Sequence, residues 1–228
     1  MQDKRIIVTG GFGALGSAVG RAAVTAGARV ALIDHAKKRR GGGVKGALDI
    51  GDVDLRDASS AQEGIAKAVA AFEGLDGIVN VAGGFAWETL EEGALETWDR
   101  LYALNVKTAV TATKAALPHL LESPAGRVIN VGAAGALKAG AGFGAYTASK
   151  SGVMRFTESL AEELKPTAVT VNAVLPSILD TPANRAEMGD AHADKWVKLE
   201  ELAAVILFLL SDEARAVTGA LVPVTGRV

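Results

Sequence analysis

Short, continuous apolar runs alternate with stretches of helical spacing along most of the chain. Lys4 to Thr9, centred on Ile6-Ile7-Val8, reads as a strand buried on both faces of a sheet. The Ala/Val-rich segment from Ala14 to Ala26 reads as a helix closed by Gly27, and Arg29 to Ile33 as a second strand. Val44 to Asp54 is a weaker strand region, followed by a helix from about Ala58 to Phe72 and a clear strand from Leu75 to Val81. A long Ala-rich helix is expected around Glu96 to Leu121. From Ser151 onward, Val153, Met154, Phe156, Leu160 and Leu164 recur at roughly helical spacing until Pro166 stops the pattern. Val169 to Leu175 is another buried strand, and the chain ends with a helix (Glu200 to Leu210) and a strand (Ala220 to Val224). Repeated alternation of strand and helix over 228 residues, with no repeat or linker to mark a boundary, predicts one α/β domain on a doubly wound parallel sheet.

Composition narrows the classes further. A formal charge of -2 and a pI near 6.0 give no electrostatic reason to expect a nucleic-acid partner. The absence of cysteine excludes disulfides and thiolate metal sites and fits a cytoplasmic protein. Glycines break the first apolar run at once, so no signal-peptide core is expected, and Leu202 to Leu210 is too short to cross a bilayer. His35, His119 and His192 are far apart and form no spaced ligand pattern, so no metal site is expected.

The first strand runs directly into Thr9-Gly10-Gly11-Phe12-Gly13-Ala14-Leu15-Gly16. Gly11, Gly13 and Gly16 satisfy G-x-G-x-x-G between a strand and a helix, the context in which glycines let backbone approach a pyrophosphate at a helix N-terminus. Asp34, at the end of the second strand and 18 positions past Gly16 (34 minus 16), lies where an acidic side chain meets an adenosine ribose. A carboxylate there repels a 2′-phosphate and favours NAD; Lys37-Lys38-Arg39-Arg40 point the other way, or form a solvated loop, so NADP stays open. Tyr146 and Lys150 stand four residues apart on one side of a helical first turn. A nearby ammonium favours the phenolate and lowers a tyrosine pKa, which is near 10 when unperturbed, toward useful acid–base chemistry.

Taken together, these residues resemble the short-chain dehydrogenase/reductase family over nearly the whole chain. The resemblance rests on the turn at Thr9, Gly10, Ala14 and Gly16, on Asp54-Leu55, and on Asn80-x-Ala82-Gly83. It continues through Asn105, Tyr146-x-x-x-Lys150 and the loop with Pro176, Thr181 and Pro182. It implies a Rossmann-type fold and a nicotinamide-dependent oxidoreductase. The cofactor would be bound by Gly10, Phe12, Gly13, Leu15, Gly16, Asp34, Asp54, Leu55, Asn80, Ala82, Gly83, Pro176, Ile178 and Thr181. In this picture Tyr146 exchanges a proton with substrate, Lys150 binds the nicotinamide ribose and lowers the Tyr pKa, and Asn105 holds a water in a proton relay. The segment from Ala183 to Lys198, with Met188, His192 and Trp196, would be a short substrate lid suiting a compact small-molecule substrate, or else a connecting helix and loop that Trp196 anchors to the core. A homo-oligomer, dimer or tetramer, would pair the helices around Glu96 to Leu121 and Tyr146 to Lys165.

One member of the usual constellation is replaced. The family commonly places a Ser 13 positions before the Tyr, and here that position (146 minus 13) is Ala133, whose methyl cannot donate a hydrogen bond to substrate. The segments 10 to 16, 81 to 86, 132 to 137 and 179 to 185 also resemble dihydropteridine reductase, a branch that lacks this Ser and prefers NADH. Its substrate, a quinonoid dihydropterin, takes hydride into a conjugated imine and develops no carbonyl oxyanion. Asn105 departs from that branch and matches the wider family. Two other readings follow from the same residues: a carbonyl or alcohol oxidoreductase, such as a ketoacyl reductase, that has compensated for Ala133, and a non-catalytic nucleotide sensor.

Overall fold

The computed structural model describes every residue of the chain except Arg40. Its seven strands are β1 (Arg5–Thr9), β2 (Arg29–Ile33), β3 (Leu48–Ile50), β4 (Gly77–Asn80), β5 (Arg127–Val131), β6 (Thr170–Pro176) and β7 (Leu221–Val224). They form one sheet in the order β3-β2-β1-β4-β5-β6-β7, and every pairing is parallel. The order reverses between β1 and β4, and in an open α/β sheet a crevice opens at such a point, beyond the carboxyl ends of the strands.

The apolar runs are continuous because both faces are covered, and successive side chains serve opposite layers. Ile7, Ala31, Ile78 and Val128 pack with Ile65 and Ala68 of α2 (Ala58–Phe72), Ala112 and Leu120 of α4 (Thr108–Glu122) and Leu160 of α5 (Gly144–Glu163). Ile6, Val8, Leu32 and Val79 turn the other way, onto Val19 of α1 (Ala14–Thr25) and Leu202 and Ile206 of α7 (Leu199–Leu210). Two shorter helices complete the set, α3 (Leu95–Tyr102), which packs on α5, and α6 (Pro182–Met188).

Two elements depart from the expectation. The weak strand over 44 to 54 contracts to three residues, because Gly46 (φ 88°) and Asp52 (φ 64°) take left-handed conformations on either side of it. The long helix around Glu96 to Leu121 is three pieces, α3 and α4 joined by a π-helical turn over Ala103–Lys107. The helix after Ala133 starts at Gly144, which puts Tyr146 in its first turn as expected. No described helix is long and apolar enough to cross a membrane. Among the described residues no three metal-ligating side chains gather.

Candidate active site

The crevice at the reversal point is a cleft of about 480 Å³, a volume that suits a ligand of cofactor size. Its floor is the glycine turn after β1. Gly10 has φ 60°, and a Cβ there would lie 2.9 Å from the Ala82 nitrogen, so β1 and β4 approach closely only because the position is bare. A Cβ on Gly16 would overlap the Gly10 carbonyl. Gly13 is the N-cap of α1 and offers no side chain to the free N–H groups of the first turn, which leaves them for an anion. Thr9 Oγ1 accepts from Val81 and Ala82 N–H at 3.1 and 3.2 Å and so fixes the other wall.

Gly10, Gly13, Leu15, Gly16, Asp34, Asp54, Leu55, Ala82 and Gly83 all line this cleft, which brings most of the expected cofactor residues together. Asp34 accepts from Phe12 N–H at 2.9 Å and from Ala36 N–H at 3.0 Å, which fixes its carboxylate at the cleft edge. Asp54 is hydrogen-bonded by the Arg56 guanidinium, which holds its carboxyl down at about 2. A bare glycine floor, an uncapped helix N-terminus and a carboxylate beyond β2 together fit a dinucleotide.

Five expected cofactor residues do not line this cleft. Asn80 is buried inside the molecule, donating to Thr113 Oγ1 and Asn130 Oδ1, both at 2.8 Å. Its role is to tie β4 to β5 and α4, because the parallel register sets Asn80 directly opposite Asn130. Pro176 ends β6 opposite Val224, the Ile178 carbonyl accepts from Val197 N–H at 2.9 Å, and Thr181 caps α6 by accepting from Asn184 N–H at 3.1 Å. None of the three lines the cleft, and their own chain satisfies the groups named. Phe12 contributes its N–H to Asp34, while its ring lies under the Arg39 guanidinium at 4.7 Å and outside the cleft.

Tyr146 and Lys150 occupy successive turns on one side of α5. Lys150 is fully enclosed, and its ammonium donates to the Val131 carbonyl at 2.8 Å. Burial pushes Lys150 down to about 8 and Tyr146 up to about 12. Burial thus shifts the tyrosine opposite to the lowering expected from a nearby ammonium, and the Lys150 ammonium is engaged at the end of β5. Phe85 meets the Tyr146 ring edge-on at 4.9 Å and itself leans on Phe143 at 5.8 Å, so one aromatic ring, braced by another, packs against the phenol.

Asn105 lies in the π-helical turn, a distortion that often marks functional sites. Both ends of its amide are used by protein: Oδ1 accepts from Gly84 N–H at 2.8 Å, and Nδ2 donates to the Gly84 carbonyl and to Ser149 Oγ at 3.1 and 2.9 Å. Ser149 Oγ in turn donates to the Tyr146 carbonyl at 2.7 Å. The side chain thus clamps the segment after β4 to α5. Asn105 and Lys150 converge on Gly83, where a Cβ would lie 2.6 Å from Asn105 Oδ1 and 3.5 Å from Lys150 Nζ.

Ala133 is buried in extended backbone two residues after β5. No neighbouring serine replaces its missing hydroxyl, since Ser149 is committed as above and Ser151 donates to the Ala136 carbonyl at 3.3 Å. Between Ala183 and Lys198, Trp196 is buried while Met188 and His192 face outward, so Trp196 ties this segment to the core, and the following Val197 bridges Leu179. Phe85, the Val131 carbonyl and Ser149 escaped sequence reasoning; only Phe85 carried a signal, as an aromatic residue directly after the glycines that close β4.

A model of the short chain dehydrogenase family matches residues 4–191. The chain belongs to the short-chain dehydrogenase/reductase family. An acetoacetyl-CoA reductase of Acinetobacter sp. (strain RA3849) is 31% identical over 242 residues, covering 99% of this chain and 97% of the relative. Among solved structures, a short chain dehydrogenase of Burkholderia cenocepacia in complex with NADP is 30% identical, with a TM-score of 0.86 and coverage of 99% and 97%. A 3-ketoacyl-(acyl-carrier-protein) reductase of Brucella melitensis complexed with NADH is 26% identical, with a TM-score of 0.90 and coverage of 99% and 98%. Like its relatives, this short-chain dehydrogenase/reductase is an NAD(P)-dependent oxidoreductase.

Proposed function

We propose that this short-chain dehydrogenase/reductase uses NADH to reduce a compact, electron-poor substrate for which Tyr146 is the only side-chain proton donor. The observation that carries the reading is Ala133: the slot that would hold a second donor contains a methyl group, buried and with no serine in reserve. A quinonoid dihydropterin meets that requirement, because hydride enters a conjugated imine and no carbonyl oxyanion has to be stabilised.

A bound reduced nicotinamide supplies the hydride. The protein does the rest. The glycine turn and the α1 N-terminus hold the phosphates, and Asp34 receives the ribose hydroxyls, which favours NADH because a 2′-phosphate would meet a carboxylate. Lys150, cationic below about pH 8, donates toward the nicotinamide ribose from a position beside Gly83. Tyr146, held up at about 12, stays protonated through the neutral range and gives its proton to the substrate nitrogen as hydride arrives. Phe85, packed edge-on against the phenol and braced by Phe143, offers an apolar surface to a planar ring.

The likeness to acetoacetyl-CoA and ketoacyl reductases favours a second reading, reduction of a small ketone with a backbone N–H or water in place of the serine. NADH oxidation measured against quinonoid dihydropterin and a panel of ketones separates the two. Turnover of the pterin with little on ketones supports the first reading, and the reverse pattern replaces it with the second.

A further inference from the structure

Arg39 is the one described member of the basic run after β2 that leaves solvent. Its side chain is 6% exposed, whereas Lys37 and Lys38 are exposed and Arg40 lies outside the described residues. The guanidinium is spent on three partners. Nε and Nη2 donate to the two carboxylate oxygens of Asp49 at 3.3 and 3.0 Å, Nη1 donates to Ser17 Oγ at 2.5 Å, and the plane lies over the Phe12 ring at 4.7 Å. Phe12 is also the residue whose N–H is held by Asp34. One residue of the glycine turn therefore joins the carboxylate that would face the adenosine ribose to a cation that is already neutralised.

We propose that Asp49 and Arg39 form a cofactor-selecting latch: Asp49 holds the Arg39 fork flat on Phe12, so that it is withheld from a 2′-phosphate and the NADP form is excluded twice. The inference rests on the reading of Asp34 as the ribose acceptor and on the NADH preference that follows from it. Asp34 excludes the phosphate by repulsion, and the latch withholds the buried guanidinium stacked on the glycine turn, which could otherwise compensate. A guanidinium is suited to a phosphate because its N–H groups match two oxygens at once, but only if those groups are free. Here the pairing with Asp49 is bidentate, and stacking on Phe12 adds a second restraint. Asp49 sits on the edge strand β3 with its side chain 39% exposed, so it can be altered without opening the core.

The test is equilibrium binding of NADH and NADPH, followed by quenching of protein fluorescence, to the parent, Asp49→Asn, and the double variant Arg39→Ala with Asp49→Asn. Competition by 2′-AMP and 5′-AMP isolates the ribose end. In Asp49→Asn the freed fork should tighten NADPH and 2′-AMP about 10-fold, the worth of one or two hydrogen bonds to a charged group, with NADH and 5′-AMP within about twofold of the parent. The gain should vanish in the double variant. A parent that prefers NADPH refutes the Asp34 reading in the first titration, before any variant is compared, and removes the basis of the latch. A parent that prefers NADH while Asp49→Asn keeps NADH binding and gains nothing for NADPH overturns the latch alone. So does a gain that persists without Arg39, since it would then come from deleting a negative charge. Asp49→Ser carries the same expectations should the Asn variant fail to fold, and melting temperatures identify that case.

Discussion

Tyr146 and Lys150 are displaced from their ordinary acid strengths in opposite directions, and burial causes both shifts. The phenol is thus a donor at neutral pH rather than a base, which suits reduction. Tyr146→Phe should lower kcat/KM for reduction about 10²-fold or more while NADH affinity is kept, as steady-state rates and cofactor titration would show. Lys150 has a stability signature as well. Its folded pKa near 8 is below the unfolded value of 10.5, so between those pH values the unfolded chain binds more protons and stability rises with pH. Tyr146, raised from 10 to about 12, acts oppositely and lowers stability from pH 10 upward. Denaturant midpoints should therefore climb between about pH 8 and 10, by up to about 1 kcal/mol per pH unit, and Lys150→Met should remove the climb. At this scale the i, i+4 spacing and the missing hydroxyl at Ala133 were legible in the sequence. The partners were not: the Val131 carbonyl is 19 positions from Lys150, and Phe85 reaches Tyr146 only through the fold. The burial of Arg39 was not legible either, because Asp49 and Phe12, which hold it, lie on other elements.

The glycine turn between β1 and α1 gathers the cleft by letting three segments meet without side chains. Gly10→Ala is expected to be costly twice over, since it places a Cβ 2.9 Å from backbone and forces a left-handed φ on alanine. NADH affinity should drop at least about 10-fold and the protein should lose roughly 1–3 kcal/mol of stability, measured by titration and by denaturant unfolding. The turn was readable because its glycines follow a buried strand and precede a helix. The π-helical turn over Ala103–Lys107 was not, because its residues have ordinary helical propensity and only the bonds from Asn105 to Gly84 and Ser149 reveal what it positions. Asn80 shows the converse. Its place at a strand end suggested a ligand contact, yet the register opposite Asn130 turns it inward.

Across the whole molecule the parallel sheet and the two core layers on its faces were foreshadowed by apolar runs too continuous for a half-exposed sheet. What the runs could not show is the outer surface of α3, where Leu95, Trp98 and Tyr102 (77%, 41% and 59% exposed) lie at positions i, i+3 and i+7 along one side. With Leu121 of α4 also exposed, we expect a second copy of the chain to cover these residues in a dimer or tetramer. Sedimentation equilibrium at micromolar protein should give a multiple of the 23.3 kDa chain mass, and Trp98→Glu should shift it toward the monomer. The central claim, that the enzyme works with Tyr146 as its single side-chain donor because its substrate is already electron-poor, concerns substrate choice by the assembled enzyme. It is tested most directly by kcat/KM of the parent and of Ala133→Ser, each on quinonoid dihydropterin and on a small ketone with NADH. The account expects the parent to turn over the pterin, and the added hydroxyl to change that rate by less than about threefold, far below the 10² or more that an effective oxyanion donor supplies. No pterin activity in the parent, together with a ketone rate that rises about 10²-fold in Ala133→Ser, would contradict it.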